Sequence, residues 1–224
     1  MGKIVGILGG MGPLATVKFM EKIIDRTPAV RDQEHLEMVS YLMPTIPDRS
    51  DYLLGRSEDS PLPHLVKYVT ALEKQTDFIA IPCMTVMHFY PQIKDLAPVI
   101  CFPQVVLDDV RAKGYQTIGV LATEGTVATR VLDAYAGEGM TICYPDAVHQ
   151  QLMMEIIYDI KRSGDYDAHQ FEQVVVHLKS QGVEVLLLAC TELAVIQEKE
   201  GLSSEFYIDI LEILTNEVVR LAKV

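Results

Sequence analysis

Two cysteines in matching positions carry most of the functional information in this chain. Cys83 follows the apolar run 78–82, and Cys190 follows the apolar run 185–189, about half of the 224 residues further on. Each run is typical of a buried strand. Thiols at the carboxyl ends of two equivalent strands can face each other across a cleft, where one accepts a proton and the other donates one. The pair therefore predicts proton transfer on opposite faces of a small molecule.

The four cysteines of the chain are not equivalent. Cys83 and Cys190 stand before turns or helix starts, where the local dipole favours the thiolate, and we interpret both as catalytic. Cys101 and Cys143 are interpreted as small buried side chains, which is the usual state of a free cysteine. The sequence contains no C-x-x-C motif and no H-x-x-x-H pair, so neither a dithiol redox site nor a zinc site is predicted.

The charge of the chain excludes several kinds of partner. A formal net charge of −12 without a basic stripe does not fit nucleic-acid binding, and an acidic surface repels membranes that carry anionic lipid. No apolar stretch reaches the roughly 18 residues of a membrane helix, and the N-terminus lacks a signal-peptide profile. We therefore expect a cytoplasmic protein whose partner is a small molecule.

The segments 4–16 and 117–129 repeat one pattern, which consists of an apolar strand, a Gly-rich turn and the start of a helix. Because the two cysteine segments recur at a similar spacing, we infer two similar α/β halves. Alternating strands and helices predict parallel sheets with right-handed crossovers. The coinciding residues are Gly6 and Gly119, Leu8 and Leu121, Gly12 and Gly125, Ala15 and Ala128, and Thr16 and Thr129.

Further apolar patterns complete the two halves. Apolar residues at helical spacing precede each cysteine strand, at 65–72 in the first half and at 171–178 in the second. The segment 36–43 is predicted as a strand. The segment 98–101 is predicted as a further, shorter strand.

The remaining segments suggest how the halves are joined. The Pro-rich segment 44–63 is predicted as an active-site loop or lid. The segment 207–221 is predicted as a short strand or turn and a helix that crosses back onto the first half. We therefore place the first domain at 1–100 plus 208–224 and the second domain at 101–207.

A Gly-rich turn such as 6–12 occurs in nucleotide-binding folds, but the other signals of such folds are missing. The strand 36–43 runs into Pro44 instead of ending on an acidic residue, and the Gly-x-Gly-x-x-Gly and Gly-Lys-Ser/Thr patterns are not met. We therefore predict that the turn around Met11 presents backbone N–H groups to a carboxylate, and that no nucleotide cofactor is bound.

Arg49, at the end of an Ile-Pro-Asp-Arg segment, is the first candidate for holding an anionic substrate. Its guanidinium carries a planar fork of donors that matches a carboxylate, and a solvated loop charge is the alternative. Lys161, after the helical run 150–160, is a second candidate. Glu192 is interpreted as a helix-start carboxylate without a catalytic duty.

Taken in order, these motifs resemble those of the pyridoxal-phosphate-independent aspartate/glutamate racemase family over nearly the whole chain. The Gly-Met-Gly-Pro turn and the Ile-Pro-Asp-Arg loop are most similar to the aspartate racemase branch. The motifs that carry the resemblance are Gly9-Gly10-Met11-Gly12-Pro13, Arg31-Asp32-Gln33-Glu34-His35, Ile46-Pro47-Asp48-Arg49, Pro82-Cys83-x-Thr85, Gly119-Val120-Leu121-Ala122-Thr123, Gly125-Thr126 and Cys190-Thr191-Glu192-Leu193.

The resemblance implies an α/β protein with two Rossmann-like domains, each a parallel sheet between helices. It implies that a pseudo-twofold axis relates the domains, with the active site in the cleft between them, and that the protein is a homodimer. Cys83 and Cys190 are implied to be the two bases of a racemisation without cofactor or metal. The residues implied to bind the substrate are Arg49 at the side-chain carboxylate, Met11 in the turn, Lys161 as a second cation, and Thr85, Thr123, Thr126 and Thr191 at the α-carboxylate and amino group.

One position departs from the family pattern, which reads Pro-Cys-Asn-Thr where this chain has Met84 after Cys83. A thioether donates no hydrogen bond, so a contact worth about 1–3 kcal/mol is lost if its partner stays unpaired. Beside racemisation of aspartate or glutamate, three alternatives stay open: an isomerase or decarboxylase of a small dicarboxylate, a non-catalytic binder of acidic amino acids, and a thiol redox protein.

Overall fold

Two parallel sheets, each flanked by helices, form the protein in a computed structural model that describes residues 2–223. The predicted α/β fold with parallel sheets is confirmed. Strands and helices alternate along the chain because short apolar runs are separated by amphipathic segments of helical period. None of the helices within residues 2–223 is long and apolar enough to cross a membrane.

The first half is built on a three-stranded sheet of order β2-β1-β3. All five residues of its central strand are buried, as expected for a parallel strand covered on both faces. The elements of this half are β1 (Val5–Gly9), α1 (Pro13–Arg26), β2 (Met38–Leu42), α2 (Arg49–Leu53), α3 (Leu62–Glu73), β3 (Phe78–Ala80) and α4 (Tyr90–Ile93), with short 3₁₀ helices at Asp32–Glu34 and Thr85–Phe89.

The second half is built on a four-stranded sheet of order β5-β4-β6-β7. Its elements are α5 (Phe102–Ala112), β4 (Thr117–Leu121), α6 (Glu124–Thr129), β5 (Thr141–Cys143), α7 (Ala147–Ser163), α8 (Ala168–Ser180), β6 (Val185–Leu188), α9 (Ala194–Glu200), β7 (Tyr207–Asp209) and α10 (Ile210–Ala222). Two further 3₁₀ helices lie at Asp133–Tyr135 and Thr191–Leu193.

The duplication inferred from sequence is visible in the sheets, because β2-β1-β3 and β5-β4-β6 have the same order of first, second and third strand. The fourth strand differs between the halves. β7 pairs with β6 over three residues, whereas in the first half Val99 makes only an isolated parallel bridge to Ile79. The strand predicted at 98–101 is therefore wrong. Pro98 has no N–H to donate to a ladder, and the chain enters α5 at once after Cys101.

The Pro-rich segment 44–63 is not a loop throughout, because it contains α2. The side chain of Asp48 caps this helix by accepting a hydrogen bond of 3.0 Å from the N–H of Asp51. A helix of five residues is too short to show a periodic apolar pattern, which is why the sequence did not reveal it.

The C-terminal helix α10 packs against α1 and α5, and the N–H of Lys3 donates to the carbonyl of Ala222 at 3.2 Å. The preceding strand β7 belongs to the second sheet. The chain therefore leaves the second sheet at Asp209, and α10 packs between α1 of the first half and α5. The domain boundaries remain a prediction from the sequence.

Candidate active site

Cys83 and Cys190 line one small cavity between the two halves. Both are nearly buried, with 7% and 8% of their surface exposed. The segments that carry them touch directly, because the hydroxyl of Thr191 donates to the carbonyl of Pro82 at 3.3 Å. The cavity measures about 20 Å³, which is room for about one water molecule. The structure thus brings together the two thiols that the sequence singled out.

The thiols meet because each follows the third strand of its half, and that strand pairs with the first strand of the same half. Cys83 comes shortly after β3 and Cys190 shortly after β6, and both strands end at the edge of the sheet that faces the other half. Ligands of open α/β sheets bind at the carboxyl ends of strands. A 3₁₀ helix begins one or two residues after each thiol, at Thr85 and at Thr191.

Cys190 is hydrogen-bonded to a carboxylate. Its Sγ lies 2.9 Å from Oε2 of Glu192, two residues further along the same turn. Burial, together with the negative charge of Glu192, raises the pKa of the Cys190 thiol well above its usual value. The expectation that a helix start favours the thiolate is therefore wrong for Cys190, because the 3₁₀ helix has three residues and carries a carboxylate.

Glu192, which the sequence analysis interpreted as a helix-start carboxylate, lies at the cavity beside Cys190. It is 7% exposed, although carboxylates are seldom buried unless they are paired. Its Oε1 has no hydrogen-bond partner among the described residues and lies 3.9 Å from Nζ of Lys161. Burial is the largest single influence and lowers the pKa of Lys161, but the charges of Glu192, Cys190 and Cys83 together outweigh it. The pKa is therefore raised, so the side chain is a cation at neutral pH.

Arg49 is a buried cation at the cavity wall. Its guanidinium donates to the backbone carbonyls of Ile46, Pro47 and Met11 at 3.5, 3.2 and 3.4 Å. Its Nε has no hydrogen-bond partner within residues 2–223. A buried charge held only by neutral acceptors is costly, so this position is prepared for an anionic group.

Three threonine hydroxyls form a triangle across the two halves. Thr85 lies 2.9 Å from both Thr123 and Thr126, and these two lie 3.2 Å apart. Thr85 and Thr123 line the cavity, whereas Thr126 is held behind them. Each hydroxyl has one proton to donate, so a bound carboxylate can draw those protons away from the triangle.

The turn at Met11 and the residue Met84 also line the cavity, as does Met154 from α7. The N–H of Gly10, one of the groups predicted to face a carboxylate, instead donates to Oγ1 of Thr16 at 3.0 Å. The lining residues that the sequence did not suggest are Asp48, Ser50, Met154, Tyr158 and Ala189.

One group of metal-ligating side chains lies apart from the cavity, at the start of α7. Asp146, His149 and His177 place one ligand atom each within 4.8 Å of one another. The contacts present are structural, because Asp146 caps α7 through the N–H of His149 and the two imidazole rings stack at 3.9 Å. They explain the cluster without an ion.

Fold and site together define an α/β enzyme whose site lies between two duplicated halves. The chain belongs to the Asp/Glu/hydantoin racemase family, whose sequence model matches residues 8–218. The prediction of an amino-acid racemase is thereby confirmed at the level of the family. Membership does not by itself fix the substrate.

Individual relatives agree with this assignment. The chain is 28% identical to the broad specificity amino-acid racemase RacX of Bacillus subtilis over 85% of its own length and 86% of that protein. Its structure is similar to the aspartate racemase of Picrophilus torridus, with a TM-score of 0.83 and 29% identity over 99% and 94% of the two chains. A glutamate racemase from Francisella tularensis shares the fold, with a TM-score of 0.72 and 14% identity over 98% and 81%.

Proposed function

We propose that the protein racemises an acidic amino acid, aspartate or glutamate, by two-base proton transfer between Cys83 and Cys190 without pyridoxal phosphate. The observation that carries the proposal is the buried guanidinium of Arg49, which has only neutral acceptors and lines the same cavity as both thiols. A carboxylate on the substrate side chain would complete its hydrogen bonds. The aspartate racemase of Picrophilus torridus supports the same class of substrate.

The resting site holds one thiol and one thiolate. Cys190 is the thiol, because burial and Glu192 raise its pKa, and Cys83 is then the base. The thiolate of Cys83 takes the α-proton, and the thiol of Cys190 gives its proton to the opposite face of the carbanion. After this step Cys83 is the thiol and Cys190 the thiolate. The reverse direction begins from that second state.

The carbanion needs positive charge and hydrogen-bond donors around its carboxylate, since no cofactor absorbs its electrons. Thr85 and Thr123, which Thr126 holds in place, supply hydroxyl donors, and Arg49 and Lys161 supply cations. These groups lie in a nearly closed cavity, where a charge interaction is stronger than in water. Exclusion of water also protects the carbanion from stray protonation.

The test measures inversion of the α-carbon and uptake of deuterium from the solvent in the same experiment. Purified protein is incubated with L-aspartate in heavy water without pyridoxal phosphate, and the D-enantiomer should accumulate with deuterium at the α-carbon. Cys83→Ser and Cys190→Ser should each abolish racemisation, while Cys101→Ser, which changes a thiol outside the cavity, serves as the matched control. Near-normal racemisation by either variant would refute the two-base scheme.

Two other outcomes assign a different function. Loss of a carboxylate from a small dicarboxylate, without inversion of aspartate, identifies a decarboxylase. A rise of the unfolding temperature with aspartate, but no deuterium uptake, identifies a binder. The homodimer and the cytoplasmic location stay predictions from the sequence.

A further inference from the structure

A second cavity adjoins the thiol cavity on the side of α1. It measures about 360 Å³, which falls in the range of roughly 300–1,000 Å³ for small-molecule pockets. It lies between the start of α1, the end of α7 and the start of α9, and we call it the α1 cleft. Its lining is mainly apolar, with Pro13, Leu14, Ala15, Pro44, Ile160 and Val195.

Neither Cys83 nor Cys190 lines the α1 cleft. Five residues line both the thiol cavity and the α1 cleft, namely Met11, Arg49, Lys161, Thr191 and Glu192. They form a thin partition of side chains between the reacting centre and the cleft. No hydrogen bond closes the partition between Lys161 and Glu192, because Nζ of Lys161 lies 3.9 Å from Oε1 of Glu192 and this oxygen has no hydrogen-bond partner in the described part of the chain.

The thiol cavity alone cannot hold a substrate side chain, since it has room for about one water molecule. If the α-carbon of a substrate lies between the thiols, its side chain has to extend out of the thiol cavity into an adjoining space. Arg49 faces both spaces, so a side chain that passes the guanidinium enters the α1 cleft.

We infer that the α1 cleft is the side-chain subsite of the enzyme, and that it admits amino acids with an uncharged, largely apolar side chain at least as long as that of glutamate. This inference rests on the proposed racemase function of the same site. The cleft wall supports the chemical class, because Ile160 and Val195 are buried side chains that offer no hydrogen-bond donor. Met11 at the partition adapts its shape readily, as methionines do at permissive binding surfaces.

The experiment compares two substrates and two variants. Deuterium uptake and inversion are measured for L-methionine and for L-aspartate with the unaltered protein, Leu14→Trp and Val17→Trp. Leu14 lines the cleft and is 54% exposed, so tryptophan can occupy the cleft without disturbing the core. Val17 lies on the same helix, is 48% exposed and does not line the cleft, which makes it a matched control.

We expect the unaltered protein to racemise L-methionine. Leu14→Trp should lower the ratio of kcat/KM for methionine over aspartate by about tenfold or more, the size seen when a pocket loses room for a methylene group. Val17→Trp should leave the ratio unchanged.

The remaining outcomes distinguish failure of this inference from failure of the proposed function. Inversion of aspartate but not of methionine refutes the subsite and leaves the proposed function standing. An equal loss for both substrates in Leu14→Trp shows that the cleft is only an entrance. Inversion of methionine without aspartate supports the subsite and refutes the acidic substrate, and no turnover of either substrate refutes both proposals.

Discussion

Sγ of Cys190 and Oε2 of Glu192 are 2.9 Å apart within one buried turn, and the first half has no carboxylate in the matching position. The residue two positions after Cys83 is Thr85, which carries a neutral hydroxyl. The two thiols of a duplicated fold thus stand in different electrostatic surroundings. Burial and the charge of Glu192 raise the pKa of the Cys190 thiol, so in the proposed mechanism Cys190 starts as the proton donor.

Removing the negative charge of Glu192 should lower the pKa of the Cys190 thiol. Glu192→Gln keeps the size of the side chain but removes the negative charge that helps to raise the pKa of the thiol. In a Cys83→Ser background, which removes the other thiol of the cavity, the pH midpoint of thiolate formation should therefore move to lower pH. Ultraviolet absorbance of the thiolate measures the midpoint.

Glu198→Gln is the control for that titration, because Glu198 is a more exposed carboxylate on α9 that pairs with Lys18. It should leave the midpoint where it is. An unchanged midpoint in Glu192→Gln would show that burial alone holds Cys190 as a thiol.

Arg49→Lys should weaken the use of aspartate although the positive charge is kept. Lysine lacks the planar fork that can hold a carboxylate with two parallel hydrogen bonds. We expect kcat/KM to fall roughly 10- to 150-fold, mainly through KM, which corresponds to a loss of about 1.5–3 kcal/mol of binding free energy. Arg31→Lys, at an exposed position, is the matched control. Normal kinetics of Arg49→Lys would mean that another group binds the side-chain carboxylate.

Thr126 is a positioning residue, since it bonds to Thr85 and Thr123 but does not line the cavity. Thr126→Val should lower kcat by about 1 kcal/mol, roughly fivefold, because two hydroxyls that face the cavity lose their shared partner. Steady-state kinetics should show little change in KM. Thr126→Ser, which restores the hydroxyl, should recover kcat, and an equal loss in both variants would mean that packing rather than hydrogen bonding matters.

Asp209 makes stability depend on pH. Burial raises the pKa of its carboxyl from 3.8 to about 6, so the folded state binds this proton more tightly than the unfolded state does. The group is therefore unfavourable when ionised, and its cost of about 3 kcal/mol develops as pH rises from about 4 to about 6. Asp209→Asn should remove that cost.

Urea unfolding at pH 4 and at pH 7 measures the effect. The stability of Asp209→Asn relative to the unaltered protein should be higher at pH 7 than at pH 4. Asp95→Asn changes a highly exposed carboxylate and provides the control. A difference that does not change with pH would mean that Asp209 is not ionised at a cost in the folded state.

The sequence predicted the convergence of the thiols because parallel α/β topology follows from apolar runs, and strand ends then meet at one edge. It could not place Glu192, since a carboxylate two residues after a cysteine can turn either toward the sulfur or toward solvent. Met154 and Tyr158 reach the cavity from α7, a helix far along the chain, and only tertiary packing reveals that approach. The sequence did not predict the short helix α2, because it is marked by the cap at Asp48 and is too short to show an apolar period.

The cavity between the thiols is too small for any amino acid, and this has a consequence for turnover. We therefore expect the two halves to move apart when a substrate binds and again when the product leaves. Contacts that bridge the gap, such as the one between Thr191 and Pro82, are then made and broken once in every catalytic cycle. We therefore expect the opening and closing of the two halves, as well as proton transfer, to limit the rate of turnover.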